Sequence, residues 1–123
     1  MNGNSIVVDT NILIYLFNGN TKITSNLAGR KISISFITFI ELMSSRKLSQ
    51  MEKAEIRSSL STTEVIHSNE IIMNSAATIR SLYNLLIPDA IIAATSQFLR
   101  LPLLTADKQF TKLDTFDVIL FEL

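Results

Sequence analysis

The sequence predicts an α/β domain in which helices cover both faces of a central, mostly parallel sheet, a three-layer α/β/α arrangement. Two observations carry this. Short β-branched runs alternate with segments of helical periodicity along all 123 residues, and no linker, internal repeat or low-complexity stretch interrupts them. At that length about two-thirds of the surface of the unfolded chain is buried on folding, enough for one real core, so residues 1–123 are read as a single domain.

Ser5 to Val8 is a β-branched run ending at Asp9, and the apolar stretch Ile12 to Phe17 behind it reads as a helix fed by a buried strand. Asn18-Gly19-Asn20 breaks it. Thr21 to Ala28 is a short helix closed by Gly29, whose missing Cβ suits a left-handed position after a helix end. In Lys31 to Ile37 the residues Ile32, Ile34 and Phe36 alternate with Ser33 and Ser35, the period of a strand. Thr38 then opens a helix containing Glu41, and Ser49 with Glu52 has capping-box spacing at the start of a second, forming a helical hairpin. Thr62 to Ile66 is a third β-prone segment. From Asn69 a long helix places Ile72, Ala76, Ile79 and Tyr83 on one face, and Ile87-Pro88 stops it because the residue before proline is pushed out of the α region. Asp89 to Leu99 is an alanine-rich helix, Leu103 to Thr105 a short strand and Phe116 to Phe121 a closing one.

Composition excludes several chemistries. Without cysteine there is no disulfide framework, thiolate zinc site or cysteine nucleophile, which fits a reducing cytoplasm, and one histidine leaves little imidazole chemistry. The amino terminus Met1-Asn2-Gly3-Asn4 has no basic region of an export signal, and the longest apolar run, Ile12 to Phe17, is far short of the ~18 residues of a membrane span. Eleven acids balance eleven bases, so net charge alone names no partner.

Placement of the acids says more. Asp9 and Asp107 fall at or just beyond the carboxyl ends of strands, and Glu41 and Asp89 near the starts of helices. In open parallel sheets ligands bind beyond the carboxyl edge where strand order reverses, so the four can converge there. Each has apolar neighbours: Val7-Val8, Phe39-Ile40, Ala90-Ile91 and Leu103-Leu104. Gathered carboxylates repel one another unless cations enter, and an oxygen-only donor set selects Mg²⁺ or Mn²⁺ over zinc. Such an ion suits phosphodiester hydrolysis. With the four set aside, seven acids remain against eleven bases. Arg46, Lys47, Lys53 and Arg57 in the helical hairpin, with Arg80 and Lys108 elsewhere, can position a polynucleotide through its phosphates, or simply form a solvated face.

Four segments, Val8-Asp9-Thr10-Asn11-Ile12-Leu13-Ile14, Ser35-Phe36-Ile37-Thr38-Phe39-Ile40-Glu41-Leu42, Pro88-Asp89-Ala90-Ile91-Ile92-Ala93-Ala94-Thr95 and Leu104-Thr105-Ala106-Asp107-Lys108-Gln109-Phe110, resemble in order and spacing the signatures of PIN-domain nucleases. The small form is most similar to VapC-like toxins of bacterial toxin-antitoxin systems. The resemblance implies a PIN-like fold and an Mg²⁺- or Mn²⁺-dependent endoribonuclease acting on RNA. It also implies a homodimer held inactive by a VapB-like antitoxin, whose arginine can reach the carboxylates. Asp9, Glu41, Asp89 and Asp107 match the acidic catalytic and metal-binding quartet, and Thr10, Asn11, Thr38 and Thr105 its polar neighbours, which orient carboxylates or water. Gln109 stands where related sequences often carry an acid or histidine, and Leu86-Ile87 where a lysine is common before the proline.

Plainer readings exist for three acids. Thr38 and Glu41 have capping-box spacing, Asp89 suits a first helical turn, and Asp107 suits a turn after a strand. Asp9 enters an apolar neighbourhood with no obvious partner. His67 reads as a solvated residue at a strand end, and Tyr83, Met43 and Met73 as helix packing residues. A phosphoacceptor receiver domain is set aside because Asp9 has no adjacent acid and Thr62 to Ser68 contains only Glu64. The remaining alternative is a catalytically inactive module of the same fold that binds RNA or protein.

Overall fold

The computed structural model describes residues 4–122; residues 1–3, in the stretch read as lacking a basic region, and residue 123 lie outside the described residues. Five strands, β1 (Ser5–Val8), β2 (Lys31–Ser35), β3 (Glu64–Ile66), β4 (Leu103–Thr105) and β5 (Val118–Leu120), form one sheet in the order β3-β2-β1-β4-β5. Every pairing is parallel. The chain moves outward from β1 to β3, then returns to the other side of β1 for β4 and β5. Strand order therefore reverses between β1 and β4, and this is where an open α/β sheet leaves a crevice at its carboxyl edge.

Strand alternation divides the core in two. Ile6 and Val8 of β1 point to one face, where Ile34 and Leu104 join residues of α1 (Thr10–Phe17), α2 (Thr21–Leu27), α3 (Phe36–Ser44) and α4 (Gln50–Ser59). Val7 and Leu103 point to the other, against α5 (Glu70–Tyr83), α6 (Ile87–Leu99) and Phe110 of a 3₁₀ turn, Lys108–Lys112. A strand buried on both faces needs this double cover, which is why Ile6-Val7-Val8 of β1 is a continuous apolar run. Among the described residues no helix is long and apolar enough to cross a membrane.

Most expected elements form, with boundaries moved for identifiable reasons. The second strand stops at Ser35, not Ile37, because the Ser35 hydroxyl accepts the Ile37 amide and caps α3. Thr38 is thus inside the helix and fully buried, and the expected Thr38–Glu41 capping box does not exist. Asp9 likewise caps α1, which starts at Thr10. The box at Ser49 and Glu52 is present with both bonds. Helix α5 is ended by Asn84 in the left-handed region at φ 56°, not by Ile87-Pro88; Pro88 lies in the first turn of α6, where its missing N–H costs nothing. The closing strand shrinks to Val118–Leu120 and the third to Glu64–Ile66. Met73, expected in a packing face, is 62% exposed because the buried stripe of α5 runs through Ile72, Ala76 and Ile79.

Candidate active site

Asp9 leaves β1 at the switch point and is only 4% exposed. Its burial is satisfied from two directions. Oδ1 accepts the Ile12 amide at 3.1 Å as the cap of α1, and Oδ2 accepts the hydroxyl of Thr105, fully buried on β4. The backbone amide of Asp9 also donates to the Leu104 carbonyl at 3.2 Å, tying the residue to the neighbouring strand. Desolvation nevertheless raises the Asp9 pKa above its usual value; the Thr105 and Ile12 bonds oppose that rise, while the Asp107 and Glu41 carboxylates add to it.

Thr105 serves both loops. Besides donating to Asp9, its oxygen accepts the Asp107 amide at 3.0 Å. Asp107 caps the 3₁₀ turn through the Gln109 amide, which Oδ1 accepts at 2.9 Å. The turn expected of Asp107 is therefore real, and it holds the carboxylate beside the site.

Glu41 reaches the same place from α3. The Thr10 hydroxyl lies 2.5 Å from Glu41 Oε1 and 3.2 Å from the Thr38 hydroxyl. A hydroxyl has one proton; with it on Glu41, the Thr10 oxygen is left to accept from Thr38. Thr38 and Glu41, three apart on α3, thus clasp the first residue of α1. Asn11 is exposed, and no bond joins its amide to these acids among the described residues.

Asp89 sits in the first turn of α6, half-buried and with no side-chain hydrogen bond among the described residues. Helix α6 has no side-chain cap at all, so Asp89 does not fill that role. Its pKa is pushed up to about 6 by desolvation first, then by the charges of Asp107, Glu41 and Asp9. A first-turn carboxylate in water would be held down by the helix dipole. The opposite shift marks four acids from β1, α3, α6 and the β4 loop as electrostatic neighbours.

All four side chains offer oxygen, there is no cysteine, and His67 is exposed after β3, so soft and imidazole-rich sites are excluded and a hard divalent ion fits. Among the described residues no three acids or histidines already gather as a formed cage. Of the bases expected to steer a polynucleotide, Arg80, exposed on α5, donates to the Leu85 carbonyl at 2.8 Å, while Arg57 lies 5.3 Å above the Phe39 ring.

A doubly wound, fully parallel sheet with carboxylates at its switch point defines the class. The chain belongs to the PIN domain family, whose sequence model matches residues 6–115. It is similar, at 33% identity and a TM-score of 0.84 over 96% of this chain and 99% of the other, to a toxin-antitoxin complex from Klebsiella pneumoniae. VapBC-1 from nontypeable Haemophilus influenzae shares the fold at 24% identity and a TM-score of 0.79, covering 94% of this chain and 97% of that one. VapBC2 from Rickettsia felis, solved with a promoter DNA fragment, does so at 19% and 0.79, covering 96% and 99%. No curated protein matches the chain.

Proposed function

We propose that this protein is the toxin of a toxin-antitoxin pair, an endoribonuclease that hydrolyses RNA phosphodiester bonds with Mg²⁺ or Mn²⁺. The observation that carries the reading is that Asp9, Glu41, Asp89 and Asp107, from separate elements, meet at the switch-point edge of the sheet, where burial first and neighbouring carboxylates second raise Asp89 and Asp9. Such an arrangement costs stability, a cost that a bound cation would relieve, and marks a candidate functional site. Asp9, Glu41, Asp89 and Asp107 would hold the ion, which supplies positive charge to the phosphate oxygens when bound. Thr105 and the Ile12 amide fix the Asp9 carboxylate, and Thr10 fixes Glu41. Asp89, pushed up to about 6 by burial and by its acidic neighbours, is the carboxyl whose charge a cation there would most relieve.

Partners follow from the same reading. The likeness to the Klebsiella complex supports a small VapB-like antitoxin that covers the site. Exposed Met73 and Ile87 border an apolar groove between α5 and α6 with Ala77 and Ile91, which supports a homodimer. One domain over residues 1–123 and a cytoplasmic location complete the proposal.

The test is cleavage of single-stranded RNA by purified protein, with Mg²⁺, Mn²⁺ or EDTA, and with Asp89→Asn protein prepared identically as the contamination control. Metal-dependent cleavage lost in the variant is the expected result. Equal cleavage by both in EDTA overturns the reading, and RNA binding without cleavage would leave the non-catalytic module in its place.

A further inference from the structure

We propose that the cavity at the end of the β4–β5 pair is a subsite for one nucleotide of single-stranded RNA, flanking the phosphate presented to the four acids, with Lys108 on its phosphate. The inference rests on the nuclease reading and adds where the strand runs. The cavity measures about 350 Å³ and is lined by Ala106, Lys108, Leu120, Phe121 and Glu122.

Position is the first reason. Ala106 and Lys108 flank Asp107 in the chain, so the cavity opens on the same sheet edge as the acids. Leu120 pairs in register with Thr105, whose hydroxyl holds Asp9, and the Phe121 amide donates to the Thr105 carbonyl at 2.7 Å. The cavity wall is therefore one strand from the carboxylate cluster. On the other side α1 and α3 close over the site through Thr10, Thr38 and Glu41.

Chemistry is the second. Leu120, Phe121 and Ala106 give an apolar floor for the face of a base, and its volume lies in the ~300–1,000 Å³ range of small-ligand sites. Lys108 is exposed, and the one ion pair among the described residues joins Lys31 to Glu64. Its ammonium is thus available to a phosphate oxygen, while Glu122 across the rim can accept from a base amino group. A nucleotide carries both partners.

The experiment measures binding of a labelled single-stranded RNA 10-mer in EDTA, where cleavage plays no part, across a salt series. Lys108→Gln should weaken binding about fivefold and lower the slope of log Kd against log salt by about 0.7, one phosphate contact. Lys108→Arg should restore both. Lys22→Gln, on α2, removes the same charge elsewhere and should leave the slope alone. Equal slopes for wild type and Lys108→Gln overturn the subsite, as does an equal loss in Lys22→Gln. If the slope changes but wild type never cleaves with metal, the nuclease reading fails and the binding site stands; cleavage by wild type with an unaltered slope removes the subsite alone.

Discussion

The hydroxyl of Thr105 donates to the Asp9 carboxylate across 96 positions of sequence, joining β4 to the end of β1. One oxygen thereby links two loops, because it also accepts the Asp107 amide. Thr105→Val keeps the shape and removes both bonds, leaving a buried carboxylate oxygen and an amide unsatisfied. Stability should fall by about 1–3 kcal/mol, read from urea unfolding, and Thr105→Ser should recover most of it. A valine variant as stable as wild type would show that the bond carries nothing.

Thr10 plays the corresponding part for Glu41. Thr10→Val removes the donor from a half-buried carboxylate that then turns freely. Mn²⁺ affinity measured by calorimetry should weaken about 10–100-fold while the fold is kept, the usual cost of losing a partner that orients a metal ligand. Unchanged affinity would mean that Glu41 needs no orienting.

The two raised carboxyls set a pH dependence of definite sign. Asp89 ionises near 3.8 when unfolded and near 6 when folded, so between those values the folded state binds more protons. Its contribution to stability is fully present below pH 3.8 and is lost as pH rises to about 6. Asp9 shifts the same way. Glu52, held down by its bonds to Ser49, has the opposite sign: it stabilises above its unfolded pKa and that contribution is lost on acidification. Denaturant midpoints in EDTA from pH 4 to 7 should therefore fall less steeply in Asp89→Asn than in wild type. Parallel curves would contradict the shift.

How much of this was legible in the sequence depends on distance along the chain. The strands and their acids could be read because an apolar β-branched run must be buried and a carboxylate directly after it must sit at its end; Ile6-Val7-Val8-Asp9 is the clearest case. The junctions were not legible where one residue ends a strand and caps a helix. Ser35 does both with no turn residue between, so the Thr38–Glu41 spacing pointed to a cap that is not there. In the sequence Pro88 reads as a stop, whereas α5 ends at Asn84 through a left-handed backbone that many asparagines never adopt. The links from Thr105 to Asp9 and Thr10 to Glu41 join distant segments. No local spacing encodes them, and only the four-segment resemblance placed those threonines near the acids.

Asparagine substitution separates a cation site from four independent structural acids, and buried Asp9 and half-buried Asp89 should answer differently. Asp89 has no side-chain hydrogen bond among the described residues, so Asp89→Asn removes repulsion and loses nothing; its melting temperature in EDTA should hold or rise. Asp9→Asn can keep the Ile12 bond on its oxygen, but then its amide faces the Thr105 hydroxyl, whose own proton is left without an acceptor. That cost, about 1–3 kcal/mol, offsets the relief, so Asp9→Asn should melt below Asp89→Asn in EDTA. In wild type a hundredfold excess of Mg²⁺ over its dissociation constant should add about 2.7 kcal/mol, and the gain should shrink in both variants along with RNA cleavage. Thermal melts of the three proteins with and without Mg²⁺ decide the matter: equal destabilisation of both variants in either condition, with cleavage intact, would reduce the four acids to structural groups.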